Sequence, residues 1–377
     1  MSALKSVPSR GPGAARRRPA RRRGRATAVA FLAVGLATVT ACAGPSGASR
    51  TTAAESTPPA CAPLAQREHV RIGVAEALSL GTPFQAAGGG WNDEQNLDVE
   101  MVVFPSTQEA VALVGVGQLD AAIGGMSANL FSAIDSGVDV RVVGGMGALD
   151  AANLPSGLFV RSDLVEDGSV RSVADLKGRS VAYSGTTGSP ASWYVSLLLQ
   201  QGGLALDDVR GTRLSYPDMP TALQNGQVDA AFVSSPFAAQ VEEQGLGRRV
   251  GDHSVIAGHT NVGIVLGPNL LEQRSDVGCA LVRANMRAAA QELTPGYSTR
   301  QEVVDAFVTY AHMPADLVRS TPEYLYSPTL DVRPETLQSM QEIFIAGGSL
   351  DLAAPLPYER VVDVPFHDAV VASIPST

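Results

Sequence analysis

The chain of 377 residues carries 28 Lys and Arg side chains against 37 Asp and Glu, a formal net charge of −9. Residues 1–41 contain nine of the basic side chains and no acidic one, so residues 42–377 hold 19 basic and 37 acidic side chains, a net charge of −18. This acidic body argues against nucleic acid as a partner, because phosphate binding needs clustered Lys and Arg. An apolar content of 45% excludes a wholly disordered chain, and the length predicts about two globular domains.

The N-terminal residues have the order of segments found in an export signal. The basic stretch Arg16–Arg25 precedes an uncharged and mainly apolar run, Ala26–Ala41. This run is shorter than the roughly 20 residues that span a bilayer, and the order basic, apolar, small is typical of a secretory signal peptide. We therefore predict a signal peptide over residues 1–41. Because Arg22–Ala26 lacks the bulky apolar residues of a twin-arginine signal, we favour the general secretory route.

The signal ends in Val39-Thr40-Ala41-Cys42, which resembles the bacterial lipobox. That resemblance implies cleavage before Cys42, a diacylglycerol group on its sulfur and a protein held at the outer face of the cell membrane. The alternative is an ordinary signal peptide with a cysteine there by chance. Residues 42–63 are rich in Ala, Ser, Thr, Pro and Gly, which predicts a flexible tether.

Two further cysteines, Cys61 and Cys279, form an even pair in a chain expected to enter an oxidising compartment. Such a pair predicts a disulfide bond. Two separate buried thiols are the alternative.

The rest of the chain alternates short apolar runs with helical patterns, which is typical of the α/β class. The first predicted set is strand Val70–Val74, helix Pro83–Ala87, strand Val99–Phe104, helix Thr107–Val116, strand Ala121–Ile123, helix Asn129–Ser136 and strand Val140–Gly144. The second set is strand Ser180–Tyr183, helix Pro190–Gln201, strand Thr212–Leu214, helix Thr221–Asn225, strand Ala230–Val233, helix Phe237–Gln244 and strand Asn261–Leu266. From Cys279 onward the pattern predicts helices, including Gln301–His312, Pro314–Ser320 and Pro334–Ala346.

An internal repeat relates the two sets. Residues 117–122 (Gly-Gln-Leu-Asp-Ala-Ala) match residues 226–231 (Gly-Gln-Val-Asp-Ala-Ala). In both copies we expect a helix to end at Gly, which tolerates a left-handed turn, and the Asp to serve the turn and strand entry rather than catalysis. The repeat predicts two similar lobes. Lobe 1 is assigned to residues 64–155 and 260–377, and lobe 2 to residues 156–259.

Several stretches together resemble one known family: Val99–Gln108, Gly117–Ser127, Ser172–Tyr183 and Asn225–Phe237. They are similar to the solute-binding proteins of ABC importers for nitrate, taurine and aliphatic sulfonates, a group that includes NMT1/THI5-like binders of pyrimidine precursors. The resemblance implies a type II periplasmic-binding fold, in which each lobe is a mixed sheet flanked by helices and the ligand cleft lies between the lobes. It also implies a monomer that captures a small organic solute without a cofactor and passes it to permease subunits.

Two rival functions follow from the same fold. A sensing or interaction lipoprotein would bind a ligand without feeding a transporter. An enzyme that uses pyridoxal phosphate would need a lysine in the cleft, but after residue 41 the sequence contains only Lys177, in a turn expected to lie away from it. The histidines are too scattered for a metal site. We therefore expect neither catalysis nor metal binding.

Ligands in such sheets lie beyond the carboxyl ends of strands, at the starts of helices. The residues that we predict to bind the ligand on this basis are Ser79, Thr82, Met126, Ser127, Thr186, Thr187, Ser189, Trp193 and Ser235. The loop Ser184–Ser189 is the most informative, because its hydroxyl groups precede a helix that begins with Pro190. A capped helix without a ligand is the alternative there, and Trp193 could equally pack in the core.

The four predicted ligand loops contain no Lys or Arg, which favours a solute with an organic part over a strongly hydrated anion; they are Glu76–Thr82, Gly124–Ser127, Ser184–Ser189 and Ser234–Pro236. Glu76 is their only charged residue. It could meet an amine of the ligand, or it could face solvent.

Overall fold

The structure is a computed structural model that describes residues 58–75, 77–104 and 107–374. The predicted signal peptide, the lipidation site Cys42 and most of the predicted tether lie outside these residues, and so does Glu76.

The described residues contain strands of two to seven residues, which we number in chain order. They are β1 (Glu68–Val74), β2 (Leu97–Val103), β3 (Ala121–Gly125), β4 (Arg141–Gly145), β5 (Ala148–Leu149), β6 (Ser156–Arg161), β7 (Ser180–Tyr183), β8 (Arg210–Arg213), β9 (Ala230–Ser234), β10 (Gly247–Arg249), β11 (Val262–Leu266) and β12 (Tyr324–Leu325).

The α-helices are numbered in the same way: α1 (Gly81–Gly88), α2 (Trp91–Glu94), α3 (Thr107–Gly115), α4 (Ala128–Asp135), α5 (Ser162–Glu166), α6 (Pro190–Gln200), α7 (Met219–Gln224), α8 (Phe237–Glu243), α9 (Ser275–Gln291), α10 (Gln301–Tyr310), α11 (Ala315–Ser320), α12 (Pro334–Ala346), α13 (Tyr358–Val361) and α14 (Val364–Ala372). Short 3-10 turns lie between them, among them Leu78–Leu80 and Tyr216–Asp218. Across the described part of the chain, no helix combines the length and the apolar character needed to span a bilayer.

The strands form two five-stranded sheets, and these define the two lobes. The sheet of lobe 1 has the order β2-β1-β3-β11-β4, and the sheet of lobe 2 has the order β10-β6-β9-β7-β8. In each sheet, one strand that enters from the other lobe runs antiparallel to its neighbours: β11 beside β3 and β4, and β6 beside β9 and β10. The prediction of an α/β protein with two mixed sheets flanked by helices is confirmed.

The Asp of each repeat copy joins neighbouring strands. Asp120 Oδ2 accepts a hydrogen bond from the Arg71 N–H of β1 at 2.8 Å, and Asp229 Oδ2 accepts one from the Ser180 N–H of β7 at 2.8 Å. The glycines that precede them, Gly117 and Gly226, have positive φ angles of 71° and 67°. The predicted left-handed turn and strand-entry role are therefore confirmed in both copies.

The predicted elements are present with shifts of a few residues at their ends, but some elements were missed. Strand β6 was not predicted, because its sequence follows Pro155 and includes Gly157, and both residues are typical of a loop. It is a strand because it pairs with β9 and β10 on either side. The last helices, α13 and α14, were also not predicted.

The N-terminal end of the described chain is fixed to helix α9. A disulfide bond joins Cys61 to Cys279, with the two Cα atoms 5.3 Å apart across a sequence separation of 218 residues. The Ala62 N–H donates to Asp276 Oδ1 at 2.8 Å, and Arg283 Nη2 donates to the carbonyl oxygen of Cys61 at 2.9 Å. These contacts place residues 61 and 62 on the same helix that flanks the lobe 1 sheet.

Replacing both Cys61 and Cys279 by serine should lower the free energy of unfolding by about 3–5 kcal/mol, since the denatured chain regains the freedom of a long loop. Guanidinium denaturation of the full-length chain measures this. Cys42→Ser is the matched control, because it leaves the pair intact. Equal midpoints for the control and the double variant would contradict a stabilising disulfide.

A buried histidine supports strand β6. His253 Nε2 accepts a hydrogen bond from the Leu158 N–H at 2.9 Å, and the Nδ1 atom lies 3.2 Å from the carbonyl oxygen of Gly251. Burial lowers the pKa of His253, and the positive charge of Arg249 lowers this pKa further. The neutral imidazole with its proton on Nδ1 is therefore the form that matches both contacts, since Nε2 accepts a hydrogen bond and Nδ1 faces a carbonyl oxygen.

Because the folded-state pKa of His253 lies below its ordinary value, the unfolded chain binds the proton more readily. The contribution of His253 to the free energy of unfolding should therefore be fully present above the ordinary histidine pKa of about 6.5. It should decrease as the pH falls below that value. Denaturation at several values between pH 7.5 and pH 5 tests this, and His253→Gln should show a smaller decrease than the parent chain. The same decrease in both proteins would count against this assignment.

Candidate functional site

A cavity of about 440 Å³ lies between the two lobes. Lobe 1 contributes the segment after β1, with Leu78 and Ser79, and the segment 311–314 after α10. Lobe 2 contributes the first turn of α6, with Pro190 and Ala191, and the loop after β9. The cavity therefore lies where the carboxyl ends of strands and the start of a helix meet, which is the position expected for ligands in α/β sheets.

The wall of the cavity is mainly apolar and aromatic. Its aromatic residues are Tyr194, Tyr216, Phe232, Phe237 and Tyr324. The Tyr194 and Phe232 rings stack with their centroids 5.5 Å apart and their planes at 27°. Among the described residues of the wall, none is Asp, Glu, Lys or Arg. Flat aromatic faces without a charged partner are suited to the body of an apolar or ring-containing molecule.

The polar residues of the wall include a cluster of three hydroxyl groups. Ser156 Oγ and Ser234 Oγ lie 2.9 Å apart, and the Tyr324 hydroxyl is close enough to both serines for them to affect its pKa. Burial raises the pKa of Tyr324, an effect that the two serine side chains partly offset. The phenol is therefore neutral, and each member of the cluster can both donate and accept a hydrogen bond. Ser156 and Ser234 belong to lobe 2 and Tyr324 to lobe 1, so the cluster joins the lobes at the cavity.

Two of the residues predicted from the sequence line this cavity, namely Ser79 and Ser235. Three others lie deeper in lobe 1. Thr82 is fully buried, and its hydroxyl donates to Asn285 Oδ1 at 2.7 Å. Met126 and Ser127 are buried before α4 and are not part of the cavity wall. The structure therefore does not bring these three to the cavity.

The predicted loop before α6 also lies away from the cavity wall. Ser189 Oγ accepts a hydrogen bond from the Ser192 N–H and donates one to the carbonyl oxygen of Ser184. Thr186 and Thr187 are exposed. The Ser189 hydroxyl therefore caps α6, as the alternative without a ligand expects, and both of its hydrogen bonds are made within lobe 2.

Trp193 is fully buried, and its Nε1 donates to Ser339 Oγ of α12 at 3.2 Å. Its ring packs edge-on against His259, with the centroids 5.2 Å apart. Trp193 therefore packs in the core and does not line the cavity.

The aromatic wall is the part of the site that sequence reasoning missed. Phe232 and Phe237 flank the loop Ser234–Pro236, which was predicted as a ligand loop, so the sequence contained a signal at that point. Tyr216 and Tyr324 gave no such signal, because Tyr216 follows an exposed edge strand and Tyr324 lies in the weakly matching C-terminal part.

Metal binding has no support in residues 58–75, 77–104 and 107–374, which contain no cluster of three or more His, Cys, Asp or Glu suited to an ion.

Comparison with known sequences assigns the chain to a family. Residues 82–293, more than half of the chain, match the family model described as NMT1/THI5 like. The chain belongs to the NMT1/THI5-like family.

One relative in this comparison is a protein of Escherichia coli (strain K12) named "Putative aliphatic sulfonates-binding protein". It is 28% identical over 147 residues, which are 39% of this chain and 43% of that protein. A protein of Brucella abortus (strain 2308) named as a binding protein is 26% identical over 182 residues, which are 48% of this chain and 52% of that protein. The chain thus spans about half the length of the curated relatives that it matches.

Solved structures show the same fold at low identity. The periplasmic aliphatic sulphonate binding protein SsuA from Escherichia coli superposes with a TM-score of 0.61 and 21% identity, covering 79% of this chain and 92% of that one. The desulfurization enzyme DSZB superposes with a TM-score of 0.55 and 16% identity, covering 82% and 100%. The likeness confirms the predicted two-lobed periplasmic-binding fold. Because a binding protein and an enzyme share it, function must be argued from the site.

The hydroxyl cluster makes a prediction about stability. Tyr324→Phe should lower the free energy of unfolding by about 0.5–1.5 kcal/mol, since the cluster loses the phenol hydroxyl next to Ser156 and Ser234. Tyr310→Phe is the matched control, because Tyr310 is 39% exposed on α10. Denaturant midpoints of the two variants provide the measurement. Equal midpoints would show that the hydroxyl cluster does not stabilise the fold.

Proposed function

We propose that this chain is an extracytoplasmic solute-binding lipoprotein that captures a small organic solute between its lobes and delivers it to an ABC importer. The observation that carries the proposal is the 440 Å³ cavity between the two α/β lobes, a size typical of small-molecule sites. Membership of the NMT1/THI5-like family supports it, as does the name of the Escherichia coli relative.

The proposed solute has an apolar or ring-containing body and a polar end without a strong charge. A bare anion would lose its hydration in a cavity whose described wall offers no Lys or Arg, and this loss is costly without a charged partner. Of the two classes inferred from the sequence, sulfonate- or taurine-like and pyrimidine-like, the aromatic wall favours a ring. The hydroxyl cluster of Ser156, Ser234 and Tyr324 would hold the polar end.

Ser79 and Ser235 remain proposed solute contacts because both line the cavity. We assign no solute contact to the other predicted residues, which are Thr82, Met126, Ser127, Thr186, Thr187, Ser189 and Trp193.

Binding rather than catalysis is the proposed activity. The described cysteines, Cys61 and Cys279, are joined to each other and are buried in lobe 1, away from the cavity. Lys177 forms an ion pair with Asp208 at 3.1 Å and is not part of the cavity wall. The described wall therefore supplies neither a thiol nor an amine nucleophile.

The proposed setting follows the sequence. Export by the general secretory route and lipidation of Cys42 would hold a monomer at the outer face of the membrane, next to the permease subunits. Cells that lack the chain should then lose uptake of the solute. If the purified chain binds the solute while uptake by such cells is unchanged, the chain is a sensing lipoprotein rather than part of an importer.

Filling the cavity tests the site. Thermal-shift screening of the full-length chain with pyrimidines, taurine, nitrate and alkanesulfonates should find a compound that raises Tm by mass action. Ser79→Trp should weaken the affinity for that compound at least tenfold, because the indole ring occupies the cavity. Ser132→Trp, at an exposed position of α4, is the matched control.

Undiminished affinity in Ser79→Trp, with the control also unchanged, would place the solute elsewhere. No binding of any compound class would count against the solute-binding function itself.

A further inference from the structure

The start of helix α4 in lobe 1 contacts the loop before α6 in lobe 2. The Ala128 N–H donates to the carbonyl oxygen of Gly188 at 3.0 Å. Ala128 is the first residue of α4, and the N–H groups of a first helical turn have no partner within their own helix. Such groups attract anions. Here a carbonyl group of the chain itself, with its partial negative charge, occupies this position.

Glycine is required at position 188 by the close approach of the lobes. A Cβ atom there would lie 2.5 Å from the Cβ of Ala128 and 3.4 Å from the Cβ of Ser349, and the first distance is too short for two carbon atoms. The φ angle of Gly188 is not in the positive range, so the backbone conformation itself does not require glycine. The absence of a side chain therefore serves the contact between the lobes.

The contact continues along helices α6 and α12. Ser349 Oγ, just after α12, lies 3.4 Å from the carbonyl oxygen of Thr187. The Trp193 indole donates to Ser339 at 3.2 Å, and His259 Nδ1 lies 2.9 Å from Thr336 Oγ1. Trp193 and Thr336 are fully buried, so protein groups exclude water from this side of the cleft. We call this set of contacts the Gly188 joint.

We propose that Gly188 is a specificity-determining residue, whose carbonyl group occupies the start of helix α4 and excludes anionic solutes from this side of the cleft. The proposal rests on the proposed solute-binding function and adds the class of solute that is rejected. To reach the Ala128 N–H, an oxoanion would have to displace the Gly188 carbonyl group and separate the lobes. The net charge of −18 on residues 42–377 opposes such an anion further. A solute without net charge meets neither obstacle in the aromatic cavity.

Gly188→Ala tests the proposal, because the added methyl group should force the joint open without changing any residue of the cavity wall. The double variant Ala128→Gly with Gly188→Ala moves the methyl group across the joint and should close it again. Gly144→Ala is the matched control, since a Cβ at Gly144 would lie at an ordinary 3.4 Å from its nearest neighbour, the Cβ of Leu330.

Two measurements on the full-length proteins give the readout: amide hydrogen exchange at Ala128, and calorimetric titration with ethanesulfonate. The parent chain and the Gly144→Ala control should protect the Ala128 amide and should not bind ethanesulfonate. Gly188→Ala should exchange the Ala128 amide at least tenfold faster and gain ethanesulfonate binding, and the double variant should lose both changes. If Gly188→Ala fails to fold, Ala128→Val replaces it, because the larger side chain presses on Gly188 from the other side of the joint and keeps the N–H group of residue 128.

Binding of ethanesulfonate by the parent chain, weakened tenfold or more when the joint is opened, would overturn the proposal and leave the solute-binding function standing. Faster exchange in Gly188→Ala without any gain of ethanesulfonate binding would also overturn it, as would exchange that stays at the parent rate. Failure of the solute-binding function is a separate result, namely that no compound class binds in the thermal-shift screen.

Discussion

The packing of helix α6 of lobe 2 against helix α12 of lobe 1 is the constraint on which the geometry of the cleft depends. Trp193 is fully buried in this contact, and its indole hydrogen-bonds to Ser339 across the lobes. Close packing of a large aromatic side chain fixes the separation of two elements, because its lining atoms lose contact energy as soon as a gap opens. The lobes therefore meet through protein groups along α6 and α12, and the space between them begins at Pro190 and Ala191 in the first turn of the same helix α6.

The position of that space decides the chemistry of the site. At the joined side, the N–H group at the start of α4 is used by the Gly188 carbonyl group, and the Ser189 hydroxyl caps α6. In the cavity, the walls are aromatic rings and a shared cluster of neutral hydroxyl groups. One fold thus combines helix starts whose N–H groups are already used with a cavity whose described wall contains no Asp, Glu, Lys or Arg. In our proposal, the chain is selective because its own Gly188 carbonyl group already occupies the start of α4.

The sequence predicted the fold better than the site, and the residues show why. The repeat copies were assigned correctly because Gly117, Asp120, Gly226 and Asp229 act on their own turn and the adjacent strand. Ser79 and Ser235 were placed at the cavity because both follow strands at their carboxyl ends. Thr82 and Trp193 occupy similar positions along the chain, yet each faces a neighbouring helix, α9 or α12, whose position no local pattern predicts.

The sequence by itself determined the α/β class, the repeat, the pairing of Cys61 with Cys279 and the family, because these depend on local patterns or on composition. The tertiary structure alone decided where the cavity lies and what lines it. Tyr216, Phe232 and Tyr324 come from separate segments and meet only because the two sheets and the C-terminal helices pack in one particular way. It also decided that Gly188 is needed for a contact between lobes, since the 2.5 Å approach to Ala128 exists only after residues 60 positions apart have been brought together.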